Sequence, residues 1–142
     1  MQQALDLAAR AESEGEVPVG AVIVRDQQLV AEGWNRTIGS HDPTAHAEII
    51  ALRRAGRRLE NYRLPSCTMY VTLEPCAMCY SALIHARLEH LVFAAPDPKT
   101  GAMGGAFELS DGWSPNHQMV CEGGLLAEQA AQQLRAFFRA RR

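Results

Sequence analysis

A chain of 142 residues is long enough to bury its own core, and 47% apolar with 21% charged residues is ordinary globular composition. No apolar run reaches the length of a helical membrane span and no basic-then-apolar leader opens the chain, so a single cytoplasmic domain over residues 1–142 is expected. The net charge of −2 does not advertise a nucleic-acid binder, although Arg53, Arg54, Arg57, Arg58 and Arg63 cluster centrally and Arg135, Arg139, Arg141 and Arg142 end the chain.

Residues 2–14 fit an amphipathic helix, with Leu5, Ala8, Ala9 and Glu12 on a 3.6-residue period and Gly15 as its stop. The chain opens inside that helix, which suggests further residues upstream. Residues 17–24 are a β-rich run, and a polar turn at 26–28 brings residues 29–34 back as the second arm of a hairpin. Asn35 follows at the strand end, where sites on sheet scaffolds tend to gather. After a loop at 39–43, Thr44 is a good N-cap for a helix over 45–55 that ends near Gly56. Residues 67–73 are a β-branched strand leading to Glu74 and Pro75, and Pro75 suits the first helical position. That helix carries Cys76 and Cys79 at i and i+3 and continues to Arg87. Residues 91–95 read as a strand, 96–106 as an exposed loop rich in Pro and Gly, and 118–121 as a short strand. A closing helix over 125–139 buries Leu126, Ala130, Leu134 and Phe137. The order αββαβαβ(β)α predicts an α/β fold of three layers, a central mixed sheet of about five strands with helices on both faces.

The chemistry sits in two stretches. His46, Cys76 and Cys79 offer one imidazole and two thiols, a donor set that selects zinc over calcium or magnesium. Three protein ligands leave the fourth tetrahedral position open, as catalytic zinc sites do. A closed structural site needs one more ligand from Cys67, Cys121 or the remaining histidines, and Cys67 lies on an apolar strand where a free cysteine behaves as a small hydrophobe. The C-x-x-C also fits a thioredoxin-like redox pair, but redox motifs require no histidine and glutamate partner. Glu48 lies two residues past His46 and suits proton transfer for a zinc-bound water; its plain alternative is a first-turn carboxylate stabilised by the helix dipole. On a regular helix, residues two apart point about 200° from one another, so His46 and Glu48 flank one site only across the helix's N-terminal end. Asn35 can donate to and accept from a base edge, and reads equally as a turn asparagine.

The pattern H-x-E at 46–48 with P-C-x-x-C at 75–79 resembles the signature of zinc nucleobase deaminases, which implies hydrolytic deamination by a zinc-activated water. The resemblance extends over nearly the whole chain, through residues 16–20 (EVPVG), 33–36 (GWNR), 41–48 (HDPTAHAE), 61–64 (NYRL), 73–76 (LEPC), 97–101 (DPKTG) and 137–139 (FFR). It is a resemblance to the bacterial tRNA-specific adenosine deaminases, within the cytidine/deoxycytidylate deaminase superfamily. The metal motif alone is shared with guanine, cytosine and cytidine deaminases; the 97–101 loop and the 137–139 tail point to the tRNA branch. The resemblance implies a cytidine-deaminase-like fold with one zinc per subunit on His46, Cys76 and Cys79, and Glu48 as proton shuttle. It implies that Asn35 contacts the purine, and that Asp97, Lys99, Thr100, Phe138 and Arg139 meet a tRNA anticodon stem-loop. The implied reaction converts the wobble adenosine of an arginine tRNA to inosine, in a homodimer whose subunits contribute to each other's sites. Pro96 and Pro98 around Asp97, and residues 107–114, depart from the family pattern.

The tail also has a physical reading of its own. Arg135, Arg139 and Arg142 fall at i, i+4 and i+7 with Phe138 on the same side, so arginines can grip phosphates while a ring stacks on a splayed base. A solvated terminal charge run is the alternative. Two other functions remain open on the sequence: a small-molecule guanine or cytosine deaminase, and a non-catalytic zinc-stabilised RNA-binding module.

Overall fold

The computed structural model describes residues 1–142. Helix α1 (Gln2–Ser13) leads into a hairpin of β1 (Gly20–Arg25) and β2 (Gln28–Trp34), followed by α2 (Ala47–Leu59) and β3 (Cys67–Leu73). Then come α3 (Ala77–His85), β4 (His90–Ala95), β5 (Val120–Gly123) and α4 (Ala127–Arg139). This is the element order expected from the sequence. The five strands form one sheet in the order β2-β1-β3-β4-β5. Strand β1 runs antiparallel to β2 and β3, whereas β3, β4 and β5 run parallel, so the sheet is mixed. The hairpin turns through Asp26 and Gln27, both with positive φ, the geometry that matches the twist of its strands.

Alternate residues of β1 serve the two faces. Val22 packs with Leu7 and Ala11 of α1 and with Trp34. Ala21 and Ile23 join the larger core with Ala47 and Ala51 of α2 and Leu83 of α3. Helix α4 lies beside α1 and packs on β4, which completes the third layer. Two glycines set how closely the helices approach. A Cβ on Gly20 would lie 2.1 Å from the Ala4 carbonyl oxygen, and one on Gly33 would lie 2.1 Å from that of Ala47. The contact at Gly33 brings the N-terminus of α2 onto the end of β2, beside Asn35.

Several boundaries differ from the sequence expectation. Helix α2 starts at Ala47 with His46 as its N-cap, not at residue 45 behind a Thr44 cap, because Thr44 is held outside it by Asp42, whose Oδ1 accepts both its N–H (2.8 Å) and its hydroxyl (2.7 Å). The same helix runs through Gly56 to a left-handed stop at Glu60. Pro75 stands before the N-cap of α3 and not inside the helix, since Cys76 is extended. Helix α3 ends at His85, and Arg87 has left-handed φ. Strand β5 begins two residues later than expected, and Leu126 is the N-cap of α4 with a half-buried side chain. The 96–106 loop is only partly exposed: Gly101 and Ala102 are buried, and Gly101 bridges to Cys76.

Candidate metal centre and the cavity beside it

His46 and Cys76 hold equivalent places, each being the N-cap of its helix with an extended backbone (φ −73, ψ 154 and φ −73, ψ 171). Neither side chain caps its own helix, which leaves both donor atoms free to meet. The extended backbone also resolves the angular problem posed by the sequence. His46 lies outside the helical spiral on which Glu48 sits, and both side chains line one cavity. Asn35 supplies the missing cap from the end of β2: its Oδ1 accepts the Ala47 N–H at 2.9 Å. That bond fixes the amide orientation, leaving the NH2 group of Asn35 as donor.

Cys79, in the first turn of α3, completes the group. Nδ1 of His46 lies 3.7 Å from Sγ of Cys76 and 3.5 Å from Sγ of Cys79, and the three donor atoms fall within 4.8 Å of one another. Bonds of about 2.0 Å to nitrogen and about 2.3 Å to sulfur let one zinc ion reach all three. The donor set and its spacing fit zinc, and no fourth cysteine or histidine joins the group. Cys67 is fully buried in the main core, as its apolar strand suggested.

The three donor groups share their protons unevenly. The hydrogen bond from the Cys79 thiol, then that from His46, holds the Cys76 thiol down at about 4. The Cys76 thiolate in turn pushes the Cys79 thiol up, and burial adds to that. His46 is raised above its ordinary value, chiefly by its hydrogen bond to Cys76. Metal binding must therefore expel the Cys79 proton and, at low pH, that of the imidazolium. The metal-free state binds more protons than the loaded one, so zinc affinity should fall as pH falls, by about tenfold per pH unit for each proton released. Chelator competition across the neutral range measures this; an affinity independent of pH would show that the thiols are not ligands.

Glu48 is only 4% exposed, and burial raises its pKa. A carboxyl raised toward neutrality inside a cavity suits proton exchange. The cavity, about 230 Å³, is lined by Val17, Asn35, His46, Glu48, Cys76 and Thr100 among others. It adjoins a groove of about 840 Å³ that shares Val17, Leu73, Asp97 and Thr100 with it. The groove continues along Lys99, Arg135, Phe138 and Arg139. The structure thus brings Asn35, Asp97 and Thr100 to the cavity with Glu48 and the metal ligands, and Lys99, Phe138 and Arg139 to the groove next to it.

Two expectations change in detail. The Asp97 carboxylate is engaged in its own loop, where Oδ1 accepts the Lys99 N–H (2.9 Å) and Oδ2 the Thr100 hydroxyl (2.6 Å). Arg142 lies beyond the end of α4, so it reaches the groove from the tail and not from the helix. The central arginines are largely structural. Arg54 donates to the Glu32 carbonyl and Arg58 to that of Val30, each at 2.9 Å, tying α2 to the edge strand β2.

Two acids that organise the cavity were missed by sequence reasoning. Glu16, 1% exposed, accepts the N–H groups of Ile38 and Gly39 and the hydroxyl of Thr37. Glu74, 3% exposed, accepts the N–H groups of Asp97 (2.9 Å), Met103 (2.8 Å) and Gly105 (3.0 Å). For Glu74 the available signal was an acid beside a proline at the end of an apolar strand, with a glycine-rich segment further along the chain.

A family model of the cytidine and deoxycytidylate deaminase zinc-binding region matches residues 1–95, which places the fold and its donor set among the zinc-dependent deaminases. A tRNA-specific adenosine deaminase of Haemophilus influenzae is 52% identical over 100% of this chain and 83% of its own length. The solved structure of a tRNA:A34 deaminase, from work on A-to-I editing at the wobble position of transfer RNA, superposes with a TM-score of 0.88 at 40% identity, covering 94% of this chain and 97% of that one. A guanine deaminase from Nitrosomonas europaea superposes with a TM-score of 0.77 at 24% identity, covering 96% of this chain and 81% of that one, a likeness of fold. The chain belongs to the family of tRNA-specific adenosine deaminases.

Proposed function

We propose that this enzyme deaminates the wobble adenosine of a tRNA anticodon loop, that of an arginine tRNA by family resemblance, to inosine. The observation that carries the reading is the junction of the small cavity holding His46, Glu48 and Cys76 with the larger groove lined by Lys99, Arg135, Phe138 and Arg139. A free base needs only the cavity. A base presented on a loop also needs a place for its phosphates and neighbouring bases, and arginines with an exposed aromatic supply one. With this reading go a single deaminase domain, a homodimer and a cytoplasmic location, all implied by the family. No helix is long and apolar enough to cross a membrane.

His46, Cys76 and Cys79 would hold the zinc, which when bound lowers the pKa of a water from about 16 toward 7 and so makes a nucleophile available at neutral pH. The remaining work falls to side chains of this chain. Glu48 takes a proton from the attacking water and delivers it to the ring nitrogen next to the reacting carbon. The water oxygen bonds to C6, and Glu48 then takes that oxygen's remaining proton and passes it to the exocyclic amine as the C6–N bond breaks and the C6 carbonyl forms, so that one water is consumed and one ammonia released. Its burial keeps the carboxyl ready for transfer in both directions. Asn35, with its oxygen committed to Ala47, presents its NH2 group to an acceptor on the purine edge.

The test is inosine formation at the wobble position of a tRNA or anticodon stem-loop. Its absence, with rapid turnover of free guanine or cytosine instead, would favour the small-molecule reading. The tail separates the two more finely. Phe137 is buried and must stay, whereas Phe138 is 49% exposed and can be changed without opening the core. Phe138→Ala with Arg139→Ala should raise KM for the stem-loop by about 10- to 100-fold, given roughly 1–3 kcal/mol for each base stacked on an aromatic. It should leave zinc content unchanged. An unchanged KM would remove the tail from the substrate site.

A further inference from the structure

We infer that Glu74 is a positioning residue that sets the height of the 97–100 segment over the cavity mouth, and through it the affinity for an RNA loop. The inference rests on the proposed reading in which this segment meets RNA. Glu74 forms no salt bridge; its carboxylate is satisfied by backbone N–H groups of the loop it organises. Oε2 accepts from Asp97, at the start of the exposed tip, while Oε1 accepts from Met103 and Gly105, where the loop returns. One side chain therefore grips both ends of the tip, and the Asp97 carboxylate then orders Lys99 and Thr100 from within.

The grip is close-fitting. A Cβ on Gly101 would lie 2.5 Å from Cδ of Glu74, and one on Gly105 would lie 2.1 Å from its Oε2. The backbone beside Glu74 adds further ties: its own N–H donates to the Ala95 carbonyl at 2.8 Å, and the Pro75 carbonyl accepts the Ala102 N–H at 3.0 Å. Glu74 also stands two residues before the Cys76 ligand at the end of β3. The loop at the mouth of the groove is thus hung from the same strand exit that presents the metal ligand. Glu74 lines the inner cavity, but both of its carboxylate oxygens are taken up by N–H groups of the loop, so it acts through the loop.

The test is Glu74→Gln, which keeps the shape and turns one acceptor into a donor. The amide does least damage with its oxygen on the side of Met103 and Gly105, where two N–H groups are satisfied, and its NH2 against the Asp97 N–H. The lost bond is then the one that sets the RNA-facing tip. With an anticodon stem-loop, KM should rise roughly 10- to 100-fold, the cost of one charge-assisted buried hydrogen bond left unmade. At saturating substrate kcat should stay within about threefold, and zinc should remain stoichiometric. Gly105→Ala should reproduce the KM effect from the loop side, by forcing loop and carboxylate apart while keeping the carboxylate's chemistry.

If the wild type makes no inosine, the proposed function fails and not this inference. If the wild type is active and Glu74→Gln changes neither KM nor kcat, the loop does not depend on Glu74 and the inference is overturned. A fall in kcat or a loss of zinc at unchanged KM would overturn it too, by placing Glu74 in support of Cys76. Should Glu74→Gln fail to fold, Gly105→Ala decides, and an unchanged KM there, or failure of both variants to fold, refutes the positioning role.

Discussion

Glu48→Ala should keep one zinc per chain and lose turnover by about three to four orders of magnitude, some 4–5.5 kcal/mol of barrier. In the proposed reaction the same carboxyl takes a proton from water, gives it to the ring and gives another to the leaving amine. Removing it takes away every positioned proton transfer at once, whereas a residue used in a single transfer typically accounts for about 10²–10⁴. Zinc should be retained because Glu48 is not among the three donor atoms that converge, and because His46 is placed by its own extended backbone and by Asn35 capping Ala47. The helix should also persist, alanine being the best helix former. Metal analysis beside an inosine assay, or release of ammonia, measures both halves. Glu48→Gln sharpens the test, since it fills the same space and still cannot carry a proton; it should be as inactive as the alanine variant. Substantial turnover in either variant would mean that another group moves the protons.

The contrast between what the sequence made visible and what it hid has a physical origin. The donor group that could hold a metal was legible because its chemistry is local: Cys76 and Cys79 share a helix turn, and His46 lies two residues from Glu48. Strand and helix order followed from periodicity, and the order is the observed one. The exact start of α2 was not legible, because whether Thr44 or His46 ends the extended segment depends on Asp42 capturing Thr44 and on Asn35 capping Ala47 across twelve residues. Sequence spacing on an ideal helix then gave a geometric conflict between His46 and Glu48 that the extended N-cap removes. Glu16 and Glu74 were hidden for a related reason. Their partners are chiefly backbone N–H groups 22 to 31 residues away, and backbone donors leave no mark in a sequence. The central arginine cluster turns inward instead: Arg54 and Arg58 spend their guanidinium groups on β2 carbonyls. The arginines of the tail, by contrast, line the groove beside the cavity.

Cys76→Ser should abolish metal binding while leaving the fold standing, which makes it the complement of Glu48→Ala. Cys76 is the N-cap of α3, and serine is among the best N-caps, so the helix start should be kept or even strengthened. The thiol of Cys76 is the one held down, to about 4, chiefly by its hydrogen bond from Cys79. A serine hydroxyl at that position is neutral and a harder donor, poorly matched to zinc beside one imidazole and one thiol. Loss of an outer-shell partner alone typically costs 10- to 100-fold in metal affinity, so loss of a ligand should exceed about 100-fold. Dialysis against a weak chelator should then strip the variant while the wild type stays loaded, and circular dichroism of the two should match. Cys79→Ser should cost stability as well, because Cys79 is fully buried in the first turn of α3 and a hydroxyl there adds a polar group to be satisfied. If the site were a structural one, stripping the metal would unfold the chain and Cys76→Ser would be poorly folded. A soluble, folded and inactive variant instead would assign the metal to the reaction. A variant that kept both stoichiometric zinc and full turnover would take Cys76 out of the ligand set, and with it the open-site argument on which the proposed chemistry depends.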